Sequence, residues 1–199
     1  MKFKAFLLIA LALILTAFGI SQFNYNKKTE ANVLLLPSLP MPIAKEYALI
    51  TSAGQSTDSY ILNDISNKLL IHSYFMPQAK VTDLDGISSI VFVVGYSSIG
   101  EKLGGISYEN EKSRIAGLLK KALEKKLSII TVYIGGNEHR DIKSDELLSL
   151  IVPKSNYLIG TKDADYDGFL SSLAKRSTIP LTLTNGVNNL SEPFASAYR

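Results

Sequence analysis

Two stretches of the chain are apolar at nearly every position: Ser88–Gly95 (SSIVFVVG) and Ser128–Gly135 (SIITVYIG). Continuous β-branched and aromatic runs of this length read as strands buried on both faces. Shorter runs of the same kind lie at Tyr47–Ala53, Tyr157–Thr161 and Pro180–Thr184, with a brief sixth candidate at Ser73–Met76. Between the runs the period changes. Thr57–Leu70 places Tyr60, Ile61, Ile65 and Leu69 on one helical face. Glu109–Lys126 turns Ile115, Leu118, Leu119 and Ala122 inward and its lysines outward. Ser144 stands as an N-cap for a helix over Asp145–Val152, and Gly168–Arg176 has the pattern of another. Buried strands alternating with helices predict an α/β domain. Its expected form is a three-layer, doubly wound, mostly parallel sheet of five or six strands, Rossmann- or flavodoxin-like.

The start of the chain follows a different pattern. Met1–Lys4 carries two lysines, and residues 5–20 form an apolar run interrupted only by Thr16 and Gly19. This reads as an export signal, with Ala17-Phe18-Gly19 supplying small residues for cleavage, or as a retained membrane anchor. Both place the remainder outside the cytoplasm, secreted or held to the membrane by residues 5–20. Residues 21–46 form an extended tether: polar through Glu30, then VLLLPSLPMPI, in which Pro37, Pro40 and Pro42 exclude a regular helix. Val33–Leu36 fits a domain edge or a membrane surface equally well. Residues 47–199 then make one α/β domain.

Composition narrows the chemistry. The 199 residues include no cysteine, which excludes disulfides, thiolate metal sites and thiol nucleophiles. A hydrophobic content of 46% excludes wholesale disorder. The net charge is +3, and Lys2 and Lys4 of the leader supply two of those charges, so nothing points to nucleic acid. Membrane contact is expected only through the N-terminal segment, and the composition specifies no protein partner.

In doubly wound sheets ligands sit beyond the carboxyl ends of the strands, where strand order reverses. The segments that leave those ends are rich in glycine and small polar residues: Gly54-Gln55-Ser56-Thr57-Asp58, Gly95-Tyr96-Ser97-Ser98 and Gly135-Gly136-Asn137-Glu138-His139-Arg140. Glycine lets backbone N–H groups approach a ligand closely. The candidate ligand-binding residues are therefore Gly54, Gln55, Ser56, Gly95, Ser97, Ser98, Gly135 and Gly136. Glu111 and Arg114, three apart in the first turns of the long helix, join them as a surface pair near the rim. His139 and Arg140 complete the set, since the planar fork of an arginine suits an anion. The expected function is the binding of a small polar or anionic ligand by backbone N–H groups and Arg140.

Other motifs stop short of their chemistry. Gly95-x-x-x-x-Gly100-Glu101-Lys102 misplaces the lysine of a P-loop and lacks the following hydroxyl. Ser97 becomes a nucleophile only if His139 comes within hydrogen-bond reach. Asp163-x-Asp165-x-Asp167-Gly168 is the first half of a calcium loop, but its twelfth position is Ala174 where glutamate is required. Calcium is thus a secondary option, against Asp167 capping the helix at Gly168, and no other cofactor or metal is expected. Two further readings stay open. One is an extracytoplasmic hydrolase or transferase using the same rim, with Glu111, Glu138 or His139 as acid or base. The other is an anchored interaction module docking through the rim or Leu34–Leu36.

Leu49-Ile50-Thr51-Ser52-Ala53-Gly54-Gln55-Ser56 resembles the opening signature of an uncharacterised family of exported bacterial domains, domain of unknown function family 6305. The likeness continues through Gly95-x-Ser97-Ser98, Gly104-Gly105-Ile106, Glu111-x-x-Arg114, Ile134-Gly135-Gly136, Ser144-Asp145 and Asp167-Gly168-x-x-x-x-Leu173. It covers about Tyr47–Leu183. The resemblance implies a Rossmann-like fold and export, and no reaction. Where the family favours a lysine-glycine pair after the serines, this chain has Ile99-Gly100. Where it favours paired arginines after the double glycine, this chain has His139-Arg140.

Overall fold

The structure, a computed structural model, describes residues 34–199. The leader of residues 1–20 and the first part of the tether lie outside the described residues. No helix among the described residues is long and apolar enough to cross a membrane.

Six strands form one parallel sheet in the order β2-β1-β3-β4-β5-β6: β1 (Ala48–Ala53), β2 (Ser73–Phe75), β3 (Ser89–Val94), β4 (Ser128–Tyr133), β5 (Tyr157–Thr161) and β6 (Leu181–Thr184). β1 and β3 are buried along their whole length, as continuous apolar runs require. Their side chains alternate between two cores. Leu49, Ile90 and Phe92 face one, and Ile50, Val91 and Val93 face the other. Six helices flank the sheet among the described residues: α1 (Asp58–Lys68), α2 (Ser98–Gly104), α3 (Tyr108–Glu124), α4 (Ile142–Ile151), α5 (Phe169–Ser177) and α6 (Ser191–Ser196). α1 and α6 cover the second core, and α3, α4 and α5 cover the first. The result is an α/β, doubly wound layout.

The chain enters beside β6. Leu36 N–H donates to Leu181 O and Leu181 N–H to Leu34 O, both at 2.9 Å, so Leu34–Leu36 pairs with the last strand and covers its edge.

Three local details differ from the sequence expectations. α4 begins at Ile142, capped by Asp141, whose carboxylate accepts the Ser144 N–H at 2.7 Å. Ser144 itself is buried and its hydroxyl accepts the Tyr96 N–H at 3.1 Å, so it ties the β3 loop to α4 instead of capping. α2 is an additional short helix that ends at the glycine pair, with Gly105 in the left-handed region at φ 64°. α6 forms from SEPFAS, a segment too short to show a period.

The order reverses at β1. β2 lies on one side of it and β3 on the other, with Ala53 opposite Val94 at their carboxyl ends. β1 feeds α1 on one face, and β3 leads to α3 on the other, so the loops after β1 and β3 part and leave a crevice.

Candidate functional site

A cavity of about 170 Å³ opens at this crevice, lined by Ser56, Thr57 and Asp58 after β1, Gly95, Tyr96 and Ser97 after β3, and Tyr133, Gly135 and His139 from the end of β4. Three turns far apart in sequence therefore converge at one end of the sheet. The turns are locked together. Ser56 N–H donates to Gly95 O (3.1 Å), and Ser97 N–H to Gly54 O (2.8 Å). Gly54 has φ +112°, and a Cβ there would lie 2.5 Å from Gly95 O, so only glycine allows this approach.

Asp58 is the group at the centre. It begins α1, half-buried, with its carboxylate between the two glycine turns. A Cβ on Gly95 would lie 3.1 Å from Asp58 Oδ2, and one on Gly135 3.5 Å. Burial pushes the Asp58 carboxyl above its ordinary 3.8, with Ser56 and the nearby His139 pulling against it. Tyr133 is fully buried beside it and donates to Gly136 O at 3.2 Å, and burial raises its phenol as well. In the sequence Asp58 is inconspicuous, because an acidic residue in a first helical turn is ordinary. Its position directly after the first glycine turn was the available signal.

The backbone N–H groups expected to hold an anion are mostly spent. Gly54, Gly95, Tyr96 and Gly100 donate to Glu111, Ala53 O, Ser144 Oγ and Ser97 Oγ. The Ser56 hydroxyl accepts the Asp58 N–H at 3.3 Å. Neither Ser56 nor Ser97 is hydrogen-bonded to His139 among the described residues, so no nucleophile–base pair is assembled there. Ser98 is exposed outside the cavity lining. Gln55, at φ +67°, turns towards a neighbouring cavity of about 360 Å³ lined by Ser52, Ser56, Thr57, Tyr60, Pro77 and Gln78. Its Oε1 accepts from Gln78 Nε2 at 3.2 Å, and its Nε2 is buried without a partner among the described residues.

Glu111 and Arg114 do pair, but not on the surface. Glu111 is 1% exposed, and its carboxylate accepts Arg114 Nε at 2.8 Å, Arg114 Nη2 at 2.7 Å and the Gly54 N–H at 3.0 Å. The pair braces the Gly54 turn from beneath. α3 carries it inward because Glu111 and Ile115 share its buried stripe.

Arg140 is likewise engaged within the protein. Its guanidinium, 6% exposed, forks between Asp145 (Nε at 3.0 Å) and Asp167 (2.7 and 2.5 Å) and donates to Ala164 O at 2.8 Å. It also lies over the rings of Tyr166 and Phe169. With its donors occupied, it is a strut between the loops after β4 and β5, and the expectation that it grips an anion fails on geometry. Arg140→Ala is expected to cost about 1–3 kcal/mol in denaturation and to leave binding at the cavity unchanged. Asp167 is held down to about 2 by Arg140. The stability from that carboxylate is therefore full above its ordinary 3.8 and lost as pH falls towards 2. The penalty of Arg140→Ala should shrink over the same window.

The calcium option loses its ligands in the same way. Asp167 serves Arg140 and the Phe169 N–H, and Asp165 holds Ser171 through its N–H and hydroxyl. Asp163 lies against Gly136, whose φ is +66°. Among the described residues no group of acidic or histidine side chains is placed to hold a metal ion.

A family model described as "Domain of unknown function (DUF6305)" matches residues 45–198. No curated protein matches the chain. Among solved structures, a mutant of the esterase AlinE4 matches at 11% identity and a TM-score of 0.29, over 71% of this chain and 76% of that one.

Proposed function

The chain belongs to the DUF6305 family, whose function is unknown, and from the geometry of the rim we propose that it binds a small ligand rich in hydroxyl or amino groups in the cavity around Asp58. The observation that carries this reading is the Asp58 carboxylate itself. It stands half-buried between two glycine turns, while both arginines of the rim are engaged with internal carboxylates. A half-buried acceptor without a fixed cationic partner favours a ligand that brings hydrogen-bond donors, and disfavours a phosphate. The hydroxyls of Ser56, Thr57 and Ser97 line the same space and can orient it. A cavity of about 170 Å³ offers room on the order of five water molecules, which suits one sugar- or amino-acid-sized group.

A second reading rests on the same carboxylate. An Asp whose ionisation is opposed by burial, next to a histidine, suits proton transfer, so the hydrolase or transferase alternative would use Asp58 and His139 as its acid–base pair. The lysines and apolar run of residues 1–20 support an extracytoplasmic setting for either activity.

Thermal-shift measurement of the chain against small amines, amino sugars, polyols, phosphates and nucleotides tests the proposal, because a ligand of the native state raises its midpoint. Donor-bearing amines or polyols should raise it. Stabilisation by phosphates or nucleotides alone would overturn the reading.

A further inference from the structure

All six strands run one way and the helices between them run back, so helix C-termini and the turns entering the strands share the sheet edge opposite the cavity. Cations collect on that edge. Lys68 ends α1, Lys121 lies in the last turn of α3 with Lys120 just before it, and Lys125 and Lys126 follow the helix. Lys154 follows α4, Lys175 and Arg176 end α5, Lys45 precedes β1, and Arg199 reaches Leu69 O. Against these ten stand four carboxylates, Glu46, Asp64, Asp85 and Glu124, a balance of +6. The described residues carry equal numbers of cations and carboxylates, so the remainder, which includes the cavity rim, carries the opposite balance.

Helix dipoles favour basic residues at helix C-termini and account for part of this polarity. They do not account for the apolar side chains standing among the lysines. Met41 is 72% exposed, Leu70 80% exposed, and Tyr47 and Leu123 are about half exposed on the same edge. Ammonium groups interleaved with exposed leucine, methionine and tyrosine match a lipid interface, where the cations meet headgroup phosphates and the apolar tips enter the acyl boundary. A cavity of about 590 Å³ opens between Pro42, Lys45, Lys125, Lys126 and Tyr198, with space for a headgroup. The chain also enters the domain from this side. Leu34 and Leu35, both more than half exposed, lie beside Leu181 at the start of β6.

We infer that the basic edge of the sheet docks on an anionic bilayer surface and holds the Asp58 cavity away from the lipid. This surface is independent of what the cavity binds. The acidic remainder of the domain strengthens the orientation, because an anionic surface repels it.

The chain has no cysteine, so a fluorophore can be placed singly through Leu123→Cys on the basic edge or Leu103→Cys near the cavity rim. The full chain is reconstituted in phosphatidylcholine vesicles with and without phosphatidylglycerol, with a quencher carried on the headgroups. With phosphatidylglycerol, the label at position 123 should be quenched severalfold more than the one at 103. High salt should abolish the difference, as should the triple change Lys45→Glu, Lys120→Glu and Lys126→Glu in protein shown folded by circular dichroism. Equal quenching of the two labels, or a difference that persists in phosphatidylcholine alone, would overturn the inference. Relief of quenching by duplex DNA at matched phosphate concentration would also overturn it, by identifying a surface for soluble polyanions. The comparison of the two labels and its salt dependence decide the matter even if the triple variant does not fold.

Discussion

Arg114→Ala is expected to destabilise the domain by about 3–5 kcal/mol, the usual consequence of stripping one partner from a buried ion pair. Arg114 donates to both Glu111 oxygens, to Ser52 O at 2.5 Å, to Ala79 O at 2.8 Å and to Thr51 Oγ1 at 3.3 Å. Its removal leaves the Glu111 carboxylate, 1% exposed, with only the Gly54 N–H as a partner. For a domain of this size the loss corresponds to a fall in melting temperature on the order of 10 °C. Arg114→Lys keeps the charge but not the fork, and should fall between wild type and alanine. Denaturant titration reads the difference. A loss below about 1 kcal/mol would mean that the pair behaves as a surface contact and does not hold the Gly54 turn.

Asp58→Asn should act in the opposite direction on stability while removing function. Burial raises the folded-state value of this carboxyl above 3.8, so ionising it costs the native state more than the unfolded chain. That cost is absent below pH 3.8 and develops as pH rises through the interval up to the folded-state value. The first turn of α1 favours a carboxylate by about 0.3–1 kcal/mol, which opposes the burial cost while the carboxyl stays raised. Asp58→Asn is therefore expected to raise the melting temperature at neutral pH and to leave it unchanged in acid. The same variant should bind donor-bearing ligands at least ~10-fold more weakly, since a hydrogen bond to a charged group is worth about 1.5–3 kcal/mol. A lower melting temperature at neutral pH would show that Asp58 serves the fold.

Much of the fold was legible because burial on both faces writes continuous apolar runs, and Ser88–Gly95 and Ser128–Gly135 mark β3 and β4 without ambiguity. The amphipathic stripe of Glu109–Lys126 marks α3 for the same reason. α2 and α6 left no such trace, since seven and six residues are too few to establish a period. For the candidate site, the glycine turns were readable because each follows a recognisable strand. What side chains meet across those turns was not. The spacing of Glu111 and Arg114 showed a pair, but its burial depends on how α3 sits against Gly54. Arg140 looked available because Asp167 is 27 residues away in sequence. Asp58 looked ordinary because Gly95 and Gly135, which enclose it, belong to other strands' loops.

On the proposed reading the ligand enters the cavity around Asp58 and does not bind the arginines of the rim. Amide chemical-shift mapping of the labelled chain tests it most directly, with small amines, amino sugars, polyols and inorganic phosphate as probes. Donor-bearing probes are predicted to move the resonances of Ser56, Asp58, Gly95, Gly135 and His139 together, and phosphate to leave them still. Shifts centred on Arg140, Asp145 and Asp167, or a response to phosphate alone, would contradict the account.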